Sequence, residues 1–72
     1  GEEHPQVATA HNNLGSVLKD LGDLAGARAA YERSLAIFER FLPPEHPKIQ
    51  TVRDNLLVIQ LEEMLGPERL KA

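Results

Sequence analysis

Hydrophobic residues recur every three or four positions in three segments of this chain, which is the spacing of one face of an α-helix. In the first segment they are Val7, Ala10, Leu14, Val17 and Leu21. In the second, the same spacing runs through Ala27, Ala30, Tyr31, Leu35, Phe38, Phe41 and Leu42 and includes one polar position, Ser34. In the third they are Ile49, Val52, Leu56 and Ile59. The pattern predicts three helices, near residues 5–21, 24–42 and 47–65, followed by a short tail over residues 66–72.

Proline and glycine mark the ends of these segments. Pro5 and Pro47 each stand at a helix start, where the missing backbone N–H costs nothing. Gly22 suits the C-terminus of the first helix, and Asp23 suits the N-cap of the second. The prolines of residues 43–47 are expected to break the chain, because proline disfavours helix in the residue before it. Consecutive helices are therefore expected to be antiparallel, in an all-α fold.

The first and third segments are copies of each other at a fixed offset of 42 residues. Glu3-His4-Pro5 recurs as Glu45-His46-Pro47, and matching continues at the same offset through residue 20. A fixed period of this length is typical of stacked supersecondary units, none of which can bury its apolar face alone. Function is therefore expected on a surface that the stack builds, not in a catalytic pocket.

The order Leu14-Gly15, Ala27, Tyr31 and Leu35 resembles the tetratricopeptide repeat, in which small residues lie where two antiparallel helices approach most closely. Gly15 and Ala27 are 12 positions apart, as that motif requires. The His-Pro helix starts, the paired asparagines and the proline-rich loop are similar to the kinesin-light-chain type of this repeat. The resemblance covers residues 3 to about 65. It implies a protein-interaction scaffold and no enzymatic activity.

The second copy of the repeat stops after its first helix. Gly15 is matched by Leu57, which is too bulky for a close crossing, and Gly22 is matched by Met64, which removes the turn. We therefore expect one domain over residues 1–72. Its predicted architecture is an antiparallel helix-turn-helix solenoid fragment, with one full repeat and a third, capping-like helix.

Composition narrows the function further. The chain has 72 residues, no cysteine and a net charge of −3 with both signs interspersed. A core of this size is marginal without association, and the absence of a basic block argues against nucleic acid and anionic membranes as partners. The longest aliphatic run has four residues, far short of the roughly 20 that a membrane span needs. The lack of cysteine suits a reducing compartment, so a cytoplasmic location is expected.

No residue pattern in the chain predicts catalysis. His4, His11 and His46 lack the spacing of metal ligands, and the first and last of them precede prolines, where a capping or loop-packing role is expected. Ser16 and Ser34 have no neighbouring histidine and aspartate to activate them. No glycine-rich phosphate loop is present. We therefore expect no catalytic residue, no metal and no cofactor.

A polar strip beside the core-facing stripe is the candidate binding surface, because stacking would place it on the inner, concave wall of the solenoid. The residues predicted to contact peptide are Thr9, Asn12, Asn13, Ser16, Lys19, Thr51 and Asn55. Asparagine offers a planar acceptor and two donors that complement a peptide bond. The resemblance implies a similar asparagine-lined groove for cargo peptides. The alternative is that Asn13 and Asn55 bond to neighbouring helices and fix the stacking of repeats.

The third helix predicts a second kind of contact. Leu57, Leu61 and Leu65 lie outside its core-facing stripe, and a helix that is apolar nearly all round is normally buried nearly all round. Self-association through these leucines, giving a homo-oligomer, is therefore the alternative to binding a protein or peptide partner.

Overall fold

The computed structural model shows three α-helices in succession: α1 (Pro5–Asp20), α2 (Leu24–Phe41) and α3 (Pro47–Lys71). The structure describes the backbone of residues 4–71 and the side chains of residues 4–66. Glu3, where the first copy of the repeat begins, and Ala72 at the end of the expected tail lie outside the described residues. The all-α fold is confirmed, and α1 and α2 each end one residue earlier than expected.

Glycine and aspartate form the turn between α1 and α2, as their positions predict. Gly22 has a φ of 89°, a left-handed conformation that favours glycine. The N–H of Asp23 bonds to the carbonyl of Leu18 at 2.8 Å, and that of Gly22 to the carbonyl of Lys19 at 3.0 Å. This pair of bonds is a Schellman motif. Asp23 Oδ1 then accepts from the N–H of Gly26 at 2.9 Å and caps α2.

Histidine and proline form the connection between α2 and α3. Leu42 is extended (φ −126°, ψ 150°), and the N–H of His46 bonds to the carbonyl of Pro43 at 3.0 Å. His46 Nδ1 accepts from the N–H of Lys48 at 3.1 Å, so the capping role expected of this histidine is confirmed. His4 precedes α1 in an extended conformation, and its side chain makes no cap hydrogen bond.

Gly66 interrupts α3 one residue after the position where the sequence predicts its end. Its φ of 77° and ψ of 153° are not helical, and helical backbone resumes beyond it as far as Lys71. The expected tail therefore begins with a change in chain direction. Among the residues that the structure describes, no helix is long and apolar enough to cross a membrane.

The core lies between the three helices. Its buried hydrophobic residues are Ala8, Ala27, Tyr31, Ile37, Phe38, Ile49, Val52 and Ile59. Ser34 is also fully buried, and its Oγ donates to the carbonyl of Ala8 at 2.7 Å. The hydroxyl of Tyr31 lies 2.8 Å from Ser16 Oγ, within hydrogen-bonding distance. Within the described residues, every buried side-chain nitrogen or oxygen atom has a hydrogen-bond partner.

Gly15 lies at a close approach of α1 to α2. A Cβ atom built on Gly15 would lie 2.7 Å from both Cδ1 and Cε1 of Tyr31, which is closer than such atoms normally come. The sequence predicts this contact near Ala27. The three nearest atoms instead belong to Tyr31, one helical turn later, so the missing side chain of Gly15 accommodates an aromatic ring.

Candidate functional site

The position of α3 defines the surface on which the predicted binding residues lie. The apolar stripe of α3 joins the core through Ile49, Val52 and Ile59, and polar contacts to α1 border that stripe on one side. Asn55 Nδ2 donates to Asn12 Oδ1 at 3.0 Å, and Lys19 Nζ lies 4.0 Å from Glu62 Oε1. These contacts tie the first helices of the two successive repeat copies together.

Two ion pairs border the same stripe on the side of α2. Arg53 Nη2 lies 3.3 Å from Glu39 Oε2, and Arg28 pairs with Glu63. The four side chains are part-exposed, so each pair contributes at most about 1 kcal/mol to stability. Burial of its apolar stripe therefore provides most of the stabilisation of α3. The polar contacts on either side of the stripe determine which residues of α3 lie opposite α1 and α2.

A cleft of about 150 Å³ opens between α1 and α3 beside the Asn12–Asn55 bond. The residues that line the cleft are Thr9, Asn12, Phe38, Lys48 and Thr51. Phe38 is 2% exposed and contributes an apolar floor. Thr9 Oγ1 donates to the carbonyl of Pro5 at 3.2 Å, and Thr51 Oγ1 donates to that of Pro47 at 3.0 Å. Both hydroxyl oxygens keep acceptor capacity for a ligand N–H.

The structure places three of the predicted peptide-binding residues, Thr9, Asn12 and Thr51, in this one cleft. Asn55 is not among the lining residues of the cleft, and it bonds to Asn12 of the other helix, as the stacking alternative describes. Asn13 is exposed, and its side chain makes no hydrogen bond within the described residues.

The other two predicted contacts are already engaged within the chain. Ser16 Oγ interacts with the hydroxyl of Tyr31 and also lies 3.4 Å from the carbonyl of Asn12. Lys19 pairs with Glu62 across the helix border. Both side chains therefore have structural partners, and a ligand would have to compete with them.

Sequence reasoning missed two residues of the cleft, Phe38 and Lys48. Phe38 belongs to the apolar stripe of α2, and this pattern predicts a core residue, although a buried ring can still form the floor of an open cleft. Lys48 follows Pro47 at the start of α3, outside the strip of the first helix. One sequence signal could have indicated that Lys48 lies at the cleft. Lys48 comes six residues after Leu42, just across the proline-rich turn.

The leucines predicted to self-associate are accessible in the single chain. Leu57 is 54% exposed, Leu61 is 48% exposed and Leu65 is 44% exposed. Met64, on the same part of α3, is also exposed. These side chains form an apolar surface, hereafter the leucine surface, that the other two helices leave uncovered.

The described residues show no arrangement suited to metal binding. No group of three or more histidine, aspartate or glutamate side chains among them could hold a metal ion. The hydroxyl of Ser34 is buried and donates to a backbone carbonyl. The described residues thus present a cleft with polar rims and the exposed leucine surface, which suit contact with other polypeptides.

Comparison with known proteins agrees with this description. The family model for the tetratricopeptide repeat matches residues 1–63. No curated protein and no solved structure matches the chain. Repeats of this kind are non-enzymatic scaffold modules that generally mediate protein–protein interactions. Since the match spans most of the chain and agrees with the helical hairpin and its glycine at a close crossing, the chain belongs to the tetratricopeptide repeat family.

Proposed function

We propose that this chain is a protein-interaction module that binds an extended peptide of a partner protein in the cleft between α1 and α3. The observation that carries the proposal is the convergence of Thr9, Asn12 and Thr51, from two repeat copies, around the ring of Phe38. A cleft of about 150 Å³ accommodates a side chain, not a whole domain. The ligand is therefore a segment whose side chain enters the cleft while its backbone lies along the rim.

The polar groups at the rim complement a peptide backbone. Asn12 Oδ1 accepts from Asn55, which fixes the Asn12 amide plane and leaves its two N–H donors for a peptide carbonyl. The hydroxyl oxygens of Thr9 and Thr51 can accept from peptide N–H groups. Lys48 adds a positive charge at the end of the cleft nearest the start of α3. The Asn12–Asn55 bond thus supports binding by holding one contact in place before the ligand arrives.

A selection experiment tests this function without a known partner. A phage-displayed library of 12-residue peptides is selected on the immobilised chain, and recovered peptides are synthesised and titrated by fluorescence anisotropy. Thr51→Lys places a long side chain into the cleft from an exposed position of α3. Gln60→Lys makes the same charge change on the same helix, beside a different surface depression lined by Arg28 and Met64.

We expect Thr51→Lys to weaken binding of the selected peptides at least about tenfold, which corresponds to 1.4 kcal/mol, and Gln60→Lys to leave it unchanged. Circular dichroism should show the same helix content for both variants, because both positions are exposed. Failure to recover any peptide, or equal loss of binding in the two variants, would exclude the cleft as the peptide site.

The finer family assignment is part of the same proposal. The 42-residue period and the asparagines at positions 12, 13 and 55 support the kinesin-light-chain type, whose groove binds cargo peptides. That subtype and a cytoplasmic location stay predictions. The subtype and the location together would imply that the peptide belongs to a cytoplasmic protein.

Self-association through the leucine surface is a second candidate function, favoured by the exposure of Leu57, Leu61 and Leu65. Sedimentation velocity at concentrations up to about 1 mM tests it. We expect a concentration-dependent dimer that Leu61→Lys abolishes and that Ala36→Lys, at an exposed site of α2, leaves intact. A monomer throughout this range would exclude the leucine surface as a self-association site.

A further inference from the structure

The peptide cleft is one end of a longer groove between α1 and α3. The two helices run in the same direction, because their contacts advance together along the chain. Asn12 meets Asn55 beside the cleft, and Lys19 meets Glu62 about two helical turns further along. A peptide that enters the cleft can therefore continue along the groove towards the C-terminal part of both helices.

The two ends of this groove carry opposite charges. Lys48 lines the cleft at the start of α3. At the other end, Asp20 lies on the same face of α1 as Thr9 and Asn13, because residues about three, four or seven positions apart share a face of a helix. Lys48 and Asp20 are both exposed, and neither side chain makes an ion pair within the described residues. Both charges are therefore available to a ligand.

Each of these charges stands at the helix end that disfavours it. The N-terminus of a helix carries a partial positive charge and the C-terminus a partial negative charge, so a cation is unfavourable at the first and an anion at the second. Lys48 is the second residue of α3, and Asp20 is the last residue of α1. Helix stability does not account for either residue. Side chains that oppose a local rule of this kind are expected at functional positions.

The separation of the two charges predicts the spacing of complementary charges in a ligand. Glu62 is the counterpart of Asp20 in the 42-residue period and marks the same level of the groove, fourteen positions after Lys48. At about 1.5 Å per helical residue, this corresponds to about 21 Å along the groove. An extended peptide advances about 3.3 Å per residue, so about six residues cover that distance. Val58, which is 39% exposed, lies between the two levels and offers an apolar contact on the way.

We propose that the groove selects a dipolar peptide, in which an acidic residue pairs with Lys48 and a basic residue about six positions away pairs with Asp20. The inference rests on the proposed function, since an apolar side chain of the same peptide enters the cleft over Phe38. Lys48 and Asp20 determine specificity and orientation. A peptide with its charges in the reverse order relative to this apolar side chain meets a like charge at each end.

Sequencing of selected peptide pools tests this charge order. The 12-residue phage-displayed library is selected on four immobilised chains, namely the unchanged chain, Lys48→Glu, Asp20→Lys and the control Gln60→Glu. All three positions are exposed, and Gln60 lies beside a different surface depression. The readout is the frequency of acidic and basic residues on either side of the apolar residue, relative to the unselected library. Thermal unfolding of each chain is followed by circular dichroism.

For the unchanged chain, we expect acidic–basic pairs about five to seven positions apart to be enriched at least about threefold, with the acidic residue nearer the apolar one. Lys48→Glu should replace the acidic preference with a basic one, and Asp20→Lys should replace the basic preference with an acidic one. Each variant should keep the preference at the other end, and Gln60→Glu should keep both. The melting temperatures of Lys48→Glu and Asp20→Lys should be unchanged or higher, because each substitution removes an unfavourable charge from a helix end.

Three results would overturn the proposal. The first is a pool with an apolar residue but without the charge pair. If Thr51→Lys still weakened binding of those peptides, the cleft would remain a peptide site and only the charge selection would be wrong. The second is a charge pair that persists unchanged in the pools from Lys48→Glu and Asp20→Lys. The third is a lower melting temperature for both variants, which would show that Lys48 and Asp20 serve the fold. Recovery of no peptide at all would instead exclude the proposed function, and this inference with it.

Discussion

Gly15→Ala is the most informative single substitution in this chain, because two opposing effects of known sign meet there. In an unobstructed helix interior, replacing glycine with alanine stabilises by about 1 kcal/mol, since glycine loses more backbone entropy on folding. At Gly15 the new methyl group would lie 2.7 Å from two ring carbons of Tyr31. The ring or one of the helices must therefore move before the methyl group and the ring reach an ordinary van der Waals distance.

The ring has little freedom to move. Tyr31 is 1% exposed, it belongs to the core, and its hydroxyl is held at 2.8 Å from Ser16. Overpacking a well-filled core typically costs about 1–3 kcal/mol. After subtraction of the gain in helix propensity, we expect Gly15→Ala to destabilise the chain by about 1 kcal/mol. In a domain of this size, that corresponds to a fall in melting temperature of about 4–8 °C.

The measurement is urea unfolding monitored by helical circular dichroism, with Ala29→Gly as the matched control. Ala29 is exposed within α2, so this reverse substitution reports the propensity difference in the same protein without a clash. We expect Ala29→Gly to cost about 1 kcal/mol. If Gly15→Ala instead raised the unfolding free energy by that amount, Tyr31 would not restrict position 15 and the close crossing would be refuted.

Three further substitutions test individual contacts by the same unfolding measurement. Ser34→Ala should cost about 1 kcal/mol, because the carbonyl of Ala8 loses the hydrogen bond that the buried Ser34 hydroxyl donates, and an unchanged midpoint would contradict this. Asp23→Ala should cost about 1 kcal/mol by removing the cap of α2, whereas Asp23→Asn, which keeps a side-chain acceptor, should cost much less. Lys19→Met should change the unfolding free energy by less than about 0.5 kcal/mol, because the 4.0 Å pair of Lys19 with Glu62 is part-exposed. A larger loss would show that Lys19 stabilises the fold through more than this ion pair.

The positions of the helices could be predicted from the sequence because each is set by local chemistry. The three-and-four spacing, the prolines that open α1 and α3 and the Gly22-Asp23 turn act through neighbouring residues, and the fold follows them. The helix ends differ by one residue in α1 and α2, within the usual uncertainty at helix termini.

The partners of polar side chains could not be predicted in the same way. Periodicity places Asn12 and Asn55 on faces of their helices, but whether they reach each other depends on how deeply α3 sits against α1. That depth is set by the packing of Ile49, Val52 and Ile59. The same reason explains why the contact of Gly15 with Tyr31, and the floor that Phe38 contributes to the cleft, became visible only in three dimensions.

The two ion pairs between α2 and α3 have a consequence for chain direction. Arg28 lies near the start of α2 and meets Glu63 late in α3, while Glu39 near the end of α2 meets Arg53 early in α3. Reversing α3 in its groove would bring arginine against arginine at one end and glutamate against glutamate at the other. Although each pair adds little stability, together they disfavour the parallel arrangement. A third helix supplied by another polypeptide would gain the same preference for the antiparallel sense if it carried the same sequence of charges, basic first and acidic last.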